Sequence, residues 1–536
     1  MLQRFGPLVL LTALALALLL QIPQLIHQFD PRAQGVLVQL NSDEDIYLAR
    51  VEEALSGRPE QTAEAFVGDP TLKGSQPAFL ETLIGRVFSW TGWRAATVLQ
   101  IMDSVTGFLF FLFLFLFLRE CGFKKVYAYT GSLLFVLVEL AALNRPIHQG
   151  ASFLLVLMTL FALVQGARGN ILLGVAGGII LGILVGTHFW SWSYAWLWVA
   201  LLLVFECLSQ QREKRWQRLV LLAVIGVLVA APFVEELIAL MQHSLWDFAV
   251  FRSGMHPSRS PESWPYSILF TIMVLGVFSA FRKKPELWEH HALAAVTLLT
   301  AFGMMHQQMI HGITFNFVSH YLFGLLLGAI CVLLLAWTVR TRALMIAGAA
   351  SLIYIGALAY DGRWVVQQFV PQENAFEEQH FAPLLPVLDG MPRTRILSDP
   401  AASSFIAGST HHDIVYSIYL KNVLMSHKEI AERYCLTQLP LAPEERRIAE
   451  QKWLIYPDAV SAFKDNPSVR EEEVNMVEEA CARADRDPKT FLRAYGVSTV
   501  LWDEKHQPTW DLKRLKVKLE KTAASVGWSL WRLRTN

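Results

Sequence analysis

Long apolar runs alternate with short polar loops along the first two thirds of the chain. A hydrocarbon core of about 30 Å is crossed by a helix of roughly 20 apolar residues. Runs of this length predict about eleven membrane-spanning helices, near residues 6–25, 97–118, 126–143, 150–167, 170–188, 191–208, 218–240, 266–281, 291–306, 318–338 and 343–360. We interpret the first run as an uncleaved signal anchor. Phe and Leu alternate along 108–118, but a lone strand cannot satisfy its backbone in lipid, so this run is also predicted to be helical.

Basic residues fall on one side of this arrangement. The loops on the same side as the amino terminus contain Arg119, Lys124, Lys125, Arg168, Arg212, Lys214, Arg215, Arg218, Arg282, Lys283, Lys284, Arg340 and Arg342. The short loops of the opposite side contain Arg145, Arg252 and Arg259. Because Lys and Arg concentrate in cytoplasmic loops, the amino terminus is predicted to be cytoplasmic. The loop 26–96 and the residues after 360 are then extracytoplasmic.

Two domains are predicted. Residues 1–360 form the membrane domain, including the outer loop 26–96, and residues 361–536 form a soluble α/β domain. In the second, short β-rich runs alternate with amphipathic stretches; the runs are Arg395–Ser398, Asp413–Tyr416 and Val497–Trp502, and the stretches include Pro443–Leu454 and Trp510–Lys521. Cys435 and Cys481 lie in this domain, and for them a disulfide and two free thiols are both open.

The amino-acid composition restricts the classes of function that this chain can have. The chain is 54% hydrophobic and 17% charged, whereas a soluble domain carries about a quarter charged residues. Its formal net charge is zero, with 46 basic and 46 acidic residues, which argues against a nucleic-acid partner. The sequence contains no Walker A, H-E-x-x-H or G-x-S-x-G motif, so the ATPase, zincin and α/β-hydrolase classes have no support.

The first outer loop opens with an acidic segment. Ser42 followed by Asp45 has the spacing of a capping box, which predicts that a helix begins here. Asp43, Tyr47 and Arg50 share one face of that helix. This face could activate an acceptor hydroxyl and bind an anionic lipid head group. The alternative is an acidic helix start that only complements the helix dipole.

Further polar residues gather in the short outer loops, in the segments 144–149 and 306–311 and near them. They form a predicted binding site for phosphate or sugar hydroxyls, made of Arg145, His148, Arg252, His306, Gln307, His311, His320 and Tyr321. No H-x-x-x-H pair or thiolate accompanies these histidines, so no metal ligand is predicted among them.

The arrangement resembles the GT-C superfamily of membrane glycosyltransferases. The segment from Asp43 to Gly57, DEDIYLARVEEALSG, resembles the D-E-x-x-Y-A-x-x-x-x-x-x-L-x-G stretch of aminoarabinose transferases and of dolichyl-phosphate-mannose–protein mannosyltransferases. Gln76–Leu80 stands where those enzymes have a K/H-P-P-L-like segment. The basic residue expected before the proline is Gln76 here, so phosphate binding would come from elsewhere, such as Arg145 or Arg252.

The resemblance implies a GT-C-like fold and an inverting glycosyltransferase that uses a polyprenyl-phosphate sugar as its lipid-linked donor. It puts Asp43 first and Glu44 second as the catalytic base, with Asp45, Tyr47, Arg50 and Gln76 in substrate binding. The acceptor, a lipid, glycan or protein, stays open. No outer asparagine lies in an acceptable N-x-S/T triplet, which fits a bacterial inner membrane.

Two alternative functions stay open beside this interpretation. One is an oligosaccharyltransferase-like enzyme in which Asp43 and Asp45 bind a divalent cation, so that a cation cofactor stays open. The other is a non-catalytic scaffold or transporter that keeps the fold without the chemistry.

Overall fold

Two compact units make up the protein in the computed structural model. The described residues are 6–37, 44–58, 66–69, 72–75, 77–143, 146–208, 213–261, 263–314, 321–370, 373–451, 454–456 and 466–534. The membrane unit comprises Met1–Pro23, Gln100–Leu237 and Pro257–Val370. The second unit, called the polar unit here, comprises Gln24–Leu99, Ile238–His256 and Pro371–Asn536.

The α-helices are numbered in chain order. They are α1 Pro7–Gln28, α2 Glu44–Leu55, α3 Phe79–Phe88, α4 Ala95–Glu120, α5 Lys125–Val138, α6 Leu140–Leu143, α7 Ser152–Ala167, α8 Ile171–Ile183, α9 Phe189–Leu208, α10 Glu213–Met241, α11 Trp246–Arg252, α12 Trp264–Lys283, α13 Glu286–His311, α14 Leu322–Val339, α15 Arg342–Asp361, α16 Leu385–Asp389, α17 Pro400–Ser409, α18 His427–Gln438, α19 Pro467–Arg486 and α20 Pro488–Ala494. The strands are β1 His256–Pro257, β2 Ile313–Thr314, β3 Arg395–Leu397, β4 Asp413–Ile414, β5 Thr499–Asp503, β6 Leu519–Ser525 and β7 Trp528–Leu533.

The helices confirm the polytopic membrane fold. In the described part of the chain, nine helices are long and apolar enough to cross a membrane, and two shorter apolar helices, Lys125–Val138 and Ile171–Gly186, lie at the predicted spans 126–143 and 170–188. The Phe- and Leu-rich run 108–118 lies wholly inside α4, as predicted. The protein is therefore an integral membrane protein.

Glycines set the distance between helices in the membrane unit. A Cβ atom on Gly174 of α8 would come within 2.8 Å of the Cα atom of Gly166 in α7, and one on Gly178 would come within 2.7 Å of the Leu222 carbonyl oxygen in α10. Because no side chain separates the backbones, these helices approach closely and gain van der Waals contact, the main source of helix association in lipid.

A five-stranded mixed sheet forms the centre of the polar unit. Its strand order is β4-β3-β5-β7-β6, with β3 parallel to both β4 and β5, and with β7 antiparallel to β5 and β6. The predicted β-rich runs at 395–398, 413–416 and 497–502 correspond to β3, β4 and β5. The small α/β fold predicted for the carboxyl-terminal region is confirmed, with helices packed around this sheet.

The first loop belongs to the polar unit, whereas the sequence grouped residues 26–96 with the membrane domain. Its backbone bonds directly to the carboxyl-terminal region: the Ile414 amide donates to the Phe66 carbonyl at 2.8 Å, and the Leu424 amide donates to the Lys73 carbonyl at 2.8 Å. Helix α2 also packs against α17. The predicted domain assignment of residues 26–96 differs from the contact-based one because backbone hydrogen bonds between segments this far apart leave no recognisable pattern in the sequence.

A disulfide joins α18 to α19 in the polar unit. The bond links Cys435 and Cys481, whose Cα atoms are 5.0 Å apart, across a sequence separation of 46 residues. The sequence had left this pairing open. Closing a loop of this length removes conformations from the unfolded chain and stabilises the fold by about 2–4 kcal/mol.

Candidate functional site

Several residues predicted to form the site fall outside what the structure describes. They are Asp43, Gln76, Arg145 and His320. Glu44 is the first residue of α2, and His148 lies in a π-helical turn, Pro146–Ala151, before α7; for both, only the backbone is described. Because no side chain is described for any of these six residues, the roles predicted for them stay predictions. Single π-helical turns such as the one that contains His148 occur often at functional sites.

Tyr47 and Arg50 lie on a buried face of α2. Arg50 is 2% exposed, and its Nη1 atom donates to Oε1 of Glu81 in α3 at 2.9 Å, while Glu81 is 1% exposed. The positive charge of Arg50 is thereby neutralised inside the polar unit. Arg50 holds α2 against α3, and its predicted contact with an anionic lipid would have to compete with this ion pair.

A second carboxyl group accompanies the acidic start of α2. Glu378 lies in the 3₁₀ helix Glu373–Leu384, and burial raises its pKa to about 8, with further contributions from the negative charges of Asp45 and Glu377. At neutral pH the protonated form of Glu378 therefore dominates beside the Asp45 carboxyl group. A carboxyl group that stays protonated at neutral pH can serve as an acid or as a hydrogen-bond donor.

The side chain of Gln379 fastens this 3₁₀ helix to the first loop. Its Oε1 atom accepts from the Gln34 amide at 2.7 Å, and its Nε2 atom donates to the Val36 carbonyl at 2.8 Å. The Arg32 guanidinium lies 4.2 Å from the centre of the Phe376 ring on the same helix. Residues 32–36 are thus held against the 3₁₀ helix that carries Glu378.

The pKa of Glu378 predicts a pH-dependent stability. A carboxyl group with a raised pKa stabilises the fold below its ordinary pKa of 4.5, and this contribution is lost as the pH rises through about 8. We expect the wild-type protein to lose about 2–4 kcal/mol between pH 5 and pH 9 from this group. The Glu378→Gln variant, which cannot ionise there, should show a smaller fall in thermal midpoint over the same range.

Glu377→Gln is the matched control, because Glu377 is the exposed neighbour on the same helix. It should keep most of the wild-type pH dependence, because burial is the largest cause of the raised pKa of Glu378 and the charge of Glu377 is the smallest of the three. Equal pH dependence of the wild-type and Glu378→Gln midpoints would show that Glu378 ionises normally.

A polar cluster lies in the membrane unit around the carboxyl-terminal half of α13. The Nδ1 atom of His306 donates to the Phe302 carbonyl at 2.7 Å, and its Nε2 atom accepts from the Ser267 hydroxyl at 2.6 Å. The Tyr321 hydroxyl lies 3.1 Å from the Ser193 hydroxyl and 3.5 Å from Oε1 of Gln307. The structure therefore brings together three of the predicted binding residues, His306, Gln307 and Tyr321.

One donor of this cluster remains available. The Nε2 atom of Gln307 is buried and has no hydrogen-bond partner among the described residues. A buried amide without a partner costs about 1–3 kcal/mol, so a ligand oxygen bound there would recover this cost. At the end of the same helix, Nδ1 of His311 accepts from the Ile313 amide at 3.2 Å and caps the turn.

Arg252 has a structural environment in place of the predicted phosphate site. The residue is fully buried in the polar unit, and its guanidinium donates to the carbonyls of Lys421 at 3.1 Å, Met425 at 2.8 Å and Val423 at 2.5 Å. Burial lowers its pKa to about 10. Because each guanidinium nitrogen already donates to a carbonyl, a phosphate at Arg252 would have to compete with these hydrogen bonds.

A group of side chains that could hold a metal ion lies elsewhere in the polar unit. Among the described residues it consists of His380, Asp503 and His506. None of the three was predicted from the sequence, because they are far apart or lack a recognised spacing.

The overall fold is shared with a solved membrane glycosyltransferase. The structure matches arabinofuranosyltransferase AftD from mycobacteria with a TM-score of 0.52 and 12% sequence identity, over 99% of this chain and 40% of that chain. The chain has a GT-C fold. The chain covers 40% of the length of AftD. At an identity this low, the similarity shows a shared fold and not a shared function.

Other GT-C structures are similar at lower scores. An oligosaccharyltransferase from Archaeoglobus fulgidus, tethered to an acceptor peptide, has a TM-score of 0.47 and 13% identity over 99% of this chain and 75% of that chain. ArnT from Cupriavidus metallidurans, bound to undecaprenyl phosphate, has a TM-score of 0.45 and 11% identity over 97% of both chains. No family model matches the sequence, and no curated protein is similar to it in sequence.

Proposed function

We propose that this GT-C protein is an inverting glycosyltransferase that moves a sugar from a polyprenyl-phosphate-type lipid donor to an acceptor on the extracytoplasmic face of a bacterial inner membrane. The observation that carries the proposal is the acidic first-loop segment at the start of α2, with the protonated Glu378 beside Asp45, in a chain with a GT-C fold. A lipid donor suits this side of the membrane, where no nucleotide sugar is expected.

The proposed chemistry needs one base and one anionic leaving group. Asp43, or Glu44 in second place, takes the proton of the acceptor hydroxyl as its oxygen attacks the anomeric carbon. The bond from that carbon to the phosphate oxygen breaks, and the lipid phosphate leaves with the electron pair. Within the membrane unit taken by itself, Gln307, Tyr321 and His306 are candidates to bind the hydroxyls or phosphate oxygens of a ligand.

The function is tested by comparing glycans of the cell envelope, by mass spectrometry, in cells with and without the protein. We expect one glycan modification to disappear in the deletion strain and to return with the wild-type gene and with Glu377→Gln, but not with Asp43→Asn. Identical glycans in all strains would remove the transferase proposal and favour the scaffold alternative.

The proposed orientation predicts an oxidised cysteine pair. Disulfides persist outside the cytoplasm, and the residues after 360 are proposed to lie there, so Cys435 and Cys481 should resist alkylation in unreduced membranes. After reduction and unfolding, both should react, as counted by mass spectrometry. In Cys435→Ser protein, unfolded without reduction, Cys481 should react directly. Full alkylation of both in unreduced, unfolded wild-type protein would contradict the orientation.

A further inference from the structure

Three side chains from separate segments meet at one end of the sheet in the polar unit. Asp503 is the last residue of β5, His506 lies in the turn that follows, and His380 comes from the 3₁₀ helix Glu373–Leu384. Their potential ligand atoms all lie within 4.8 Å of one another. The carboxyl ends of parallel strands, here β3 and β5, are the usual place for ligands in sheets of this kind.

Asp503 carries a buried carboxyl group. It is 1% exposed, and its Oδ1 atom accepts from the amides of Lys505 and His506, both at 3.2 Å. A buried carboxyl group needs hydrogen-bond donors or a positive charge close by.

The ring of His380 is oriented as in a metal ligand. Its Nδ1 atom lies 2.6 Å from the Glu377 carbonyl oxygen, which can only accept, so Nδ1 carries a proton. Its Nε2 atom lies 3.1 Å from Oδ1 of Asp503. In the neutral ring this places a lone pair against a carboxylate, which is repulsive unless a proton or a metal ion lies between them. A backbone carbonyl on the opposite ring nitrogen is the usual support of a metal-bound histidine.

His506 completes the group from the solvent side. Its Nδ1 atom is 2.6 Å from Oδ2 of Asp503, and its side chain is 35% exposed. Two imidazole nitrogens and one carboxylate oxygen form a donor set that Zn²⁺ prefers, and the three potential ligand atoms lie within 4.8 Å of one another.

A second buried carboxyl group lies nearby, after β3. Asp399 is 3% exposed; its Oδ1 atom accepts from the amides of Ala401 and Ala402, while Oδ2 has no hydrogen-bond partner among the described residues. Oδ2 of Asp399 is therefore a further oxygen acceptor in this part of the polar unit.

We propose that His380, Asp503 and His506 form a binding site for a zinc-type divalent cation, with Nε2 of His380, the Asp503 carboxylate and Nδ1 of His506 as ligands. The bound ion would tie the 3₁₀ helix Glu373–Leu384 to the carboxyl end of β5. His380 follows Glu378 by two residues on this helix, but zinc binding is measured directly and does not require the proposed transferase activity.

The test titrates Zn²⁺ into the full-length protein, purified in detergent with a tag free of histidine and stripped of metal by a chelator. We expect one saturable Zn²⁺ site per chain, and a thermal midpoint that rises with Zn²⁺ concentration. With Co²⁺ as the probe, a tetrahedral site gives an intense visible absorption band. His506→Ala should weaken Zn²⁺ binding at least 10-fold, and the double variant His380→Ala/His506→Ala should abolish the site.

His411→Ala is the matched control, because His411 is a partly buried histidine of the same unit whose Nε2 atom lies 3.2 Å from the Met391 carbonyl oxygen. It should bind Zn²⁺ like the wild type. His506→Ala removes a partner of the buried Asp503 carboxyl group, so its metal-free thermal midpoint should fall by a few degrees, and binding is judged by the Zn²⁺-dependent signal. Absence of a saturable site in the wild type, or binding that persists in the double variant, would overturn the proposal and leave a hydrogen-bonded His–Asp–His group.

Discussion

Glycosyl transfer by Asp43→Asn protein should fall by about two to four orders of magnitude, the usual contribution of a general base. The amide keeps the size and the helix-capping ability of the carboxylate but cannot accept the proton of the acceptor hydroxyl. Since Asn and Asp cap helices about equally well, the thermal midpoint should stay unchanged. The affinity for the lipid donor should also change little, because phosphate binding is assigned to other residues. The measurement is transfer by purified protein from a polyprenyl-phosphate sugar.

Asp30→Asn provides the control within the same loop. Asp30 pairs with Arg32 at 2.8 Å on the surface of the protein, and its substitution should leave transfer unchanged. Wild-type rates in Asp43→Asn with an unaltered midpoint would exclude Asp43 as the base and return the acidic segment to a helix start that complements its dipole.

The Arg252→Met variant should destabilise the polar unit by about 3–5 kcal/mol, because it leaves buried carbonyls without donors. The three carbonyls belong to Lys421, Val423 and Met425, so the substitution should loosen the contact between α11 and residues 421–425. For a unit of this size the thermal midpoint should fall by about 6–20 °C.

Arg259→Met is the comparison for Arg252. Arg259 also donates to backbone carbonyls, those of Met309 and Ile310, but at an exposed position. Its substitution should change the midpoint by no more than about 2 °C, since exposed hydrogen bonds exchange with water. If instead the Arg252 variant kept its midpoint and bound the lipid donor more weakly, the phosphate-binding role predicted from the sequence would be restored.

The sequence predicted the membrane helices well because length and apolar composition are local properties. From the sequence, α5 and α8 were predicted as full membrane spans, whereas both helices are shorter than that. The length of an apolar run does not show where a polar or glycine-rich boundary ends the helix. In the polar unit it predicted three strands. It missed the hairpin of β6 and β7, because β6, LEKTAAS, consists mostly of exposed polar and small residues and presents no apolar face.

The candidate site was predictable only where a motif is contiguous. The acidic segment stands out in a single stretch, whereas Glu378 approaches Asp45, and His380 approaches Asp503, from segments more than a hundred residues away. Arg50 and Arg252 were chosen for their charge. The structure shows that both are internal, since the sequence could not reveal that Glu81 and three backbone carbonyls would be their partners.

The polar unit is assembled from segments on both sides of the membrane helices in the sequence, and this sets the order of its biosynthesis. Its first segment ends at Leu99, and its last begins at Pro371. At 5–20 residues per second, roughly 15–55 s of translation separate the two. During that time α2 can pack against α3 but not against α17, and residues 34–36 lack the side chain of Gln379. Helix α2 therefore reaches its final packing only after the last membrane helix has been made, and a chain interrupted before that point leaves part of α2 uncovered.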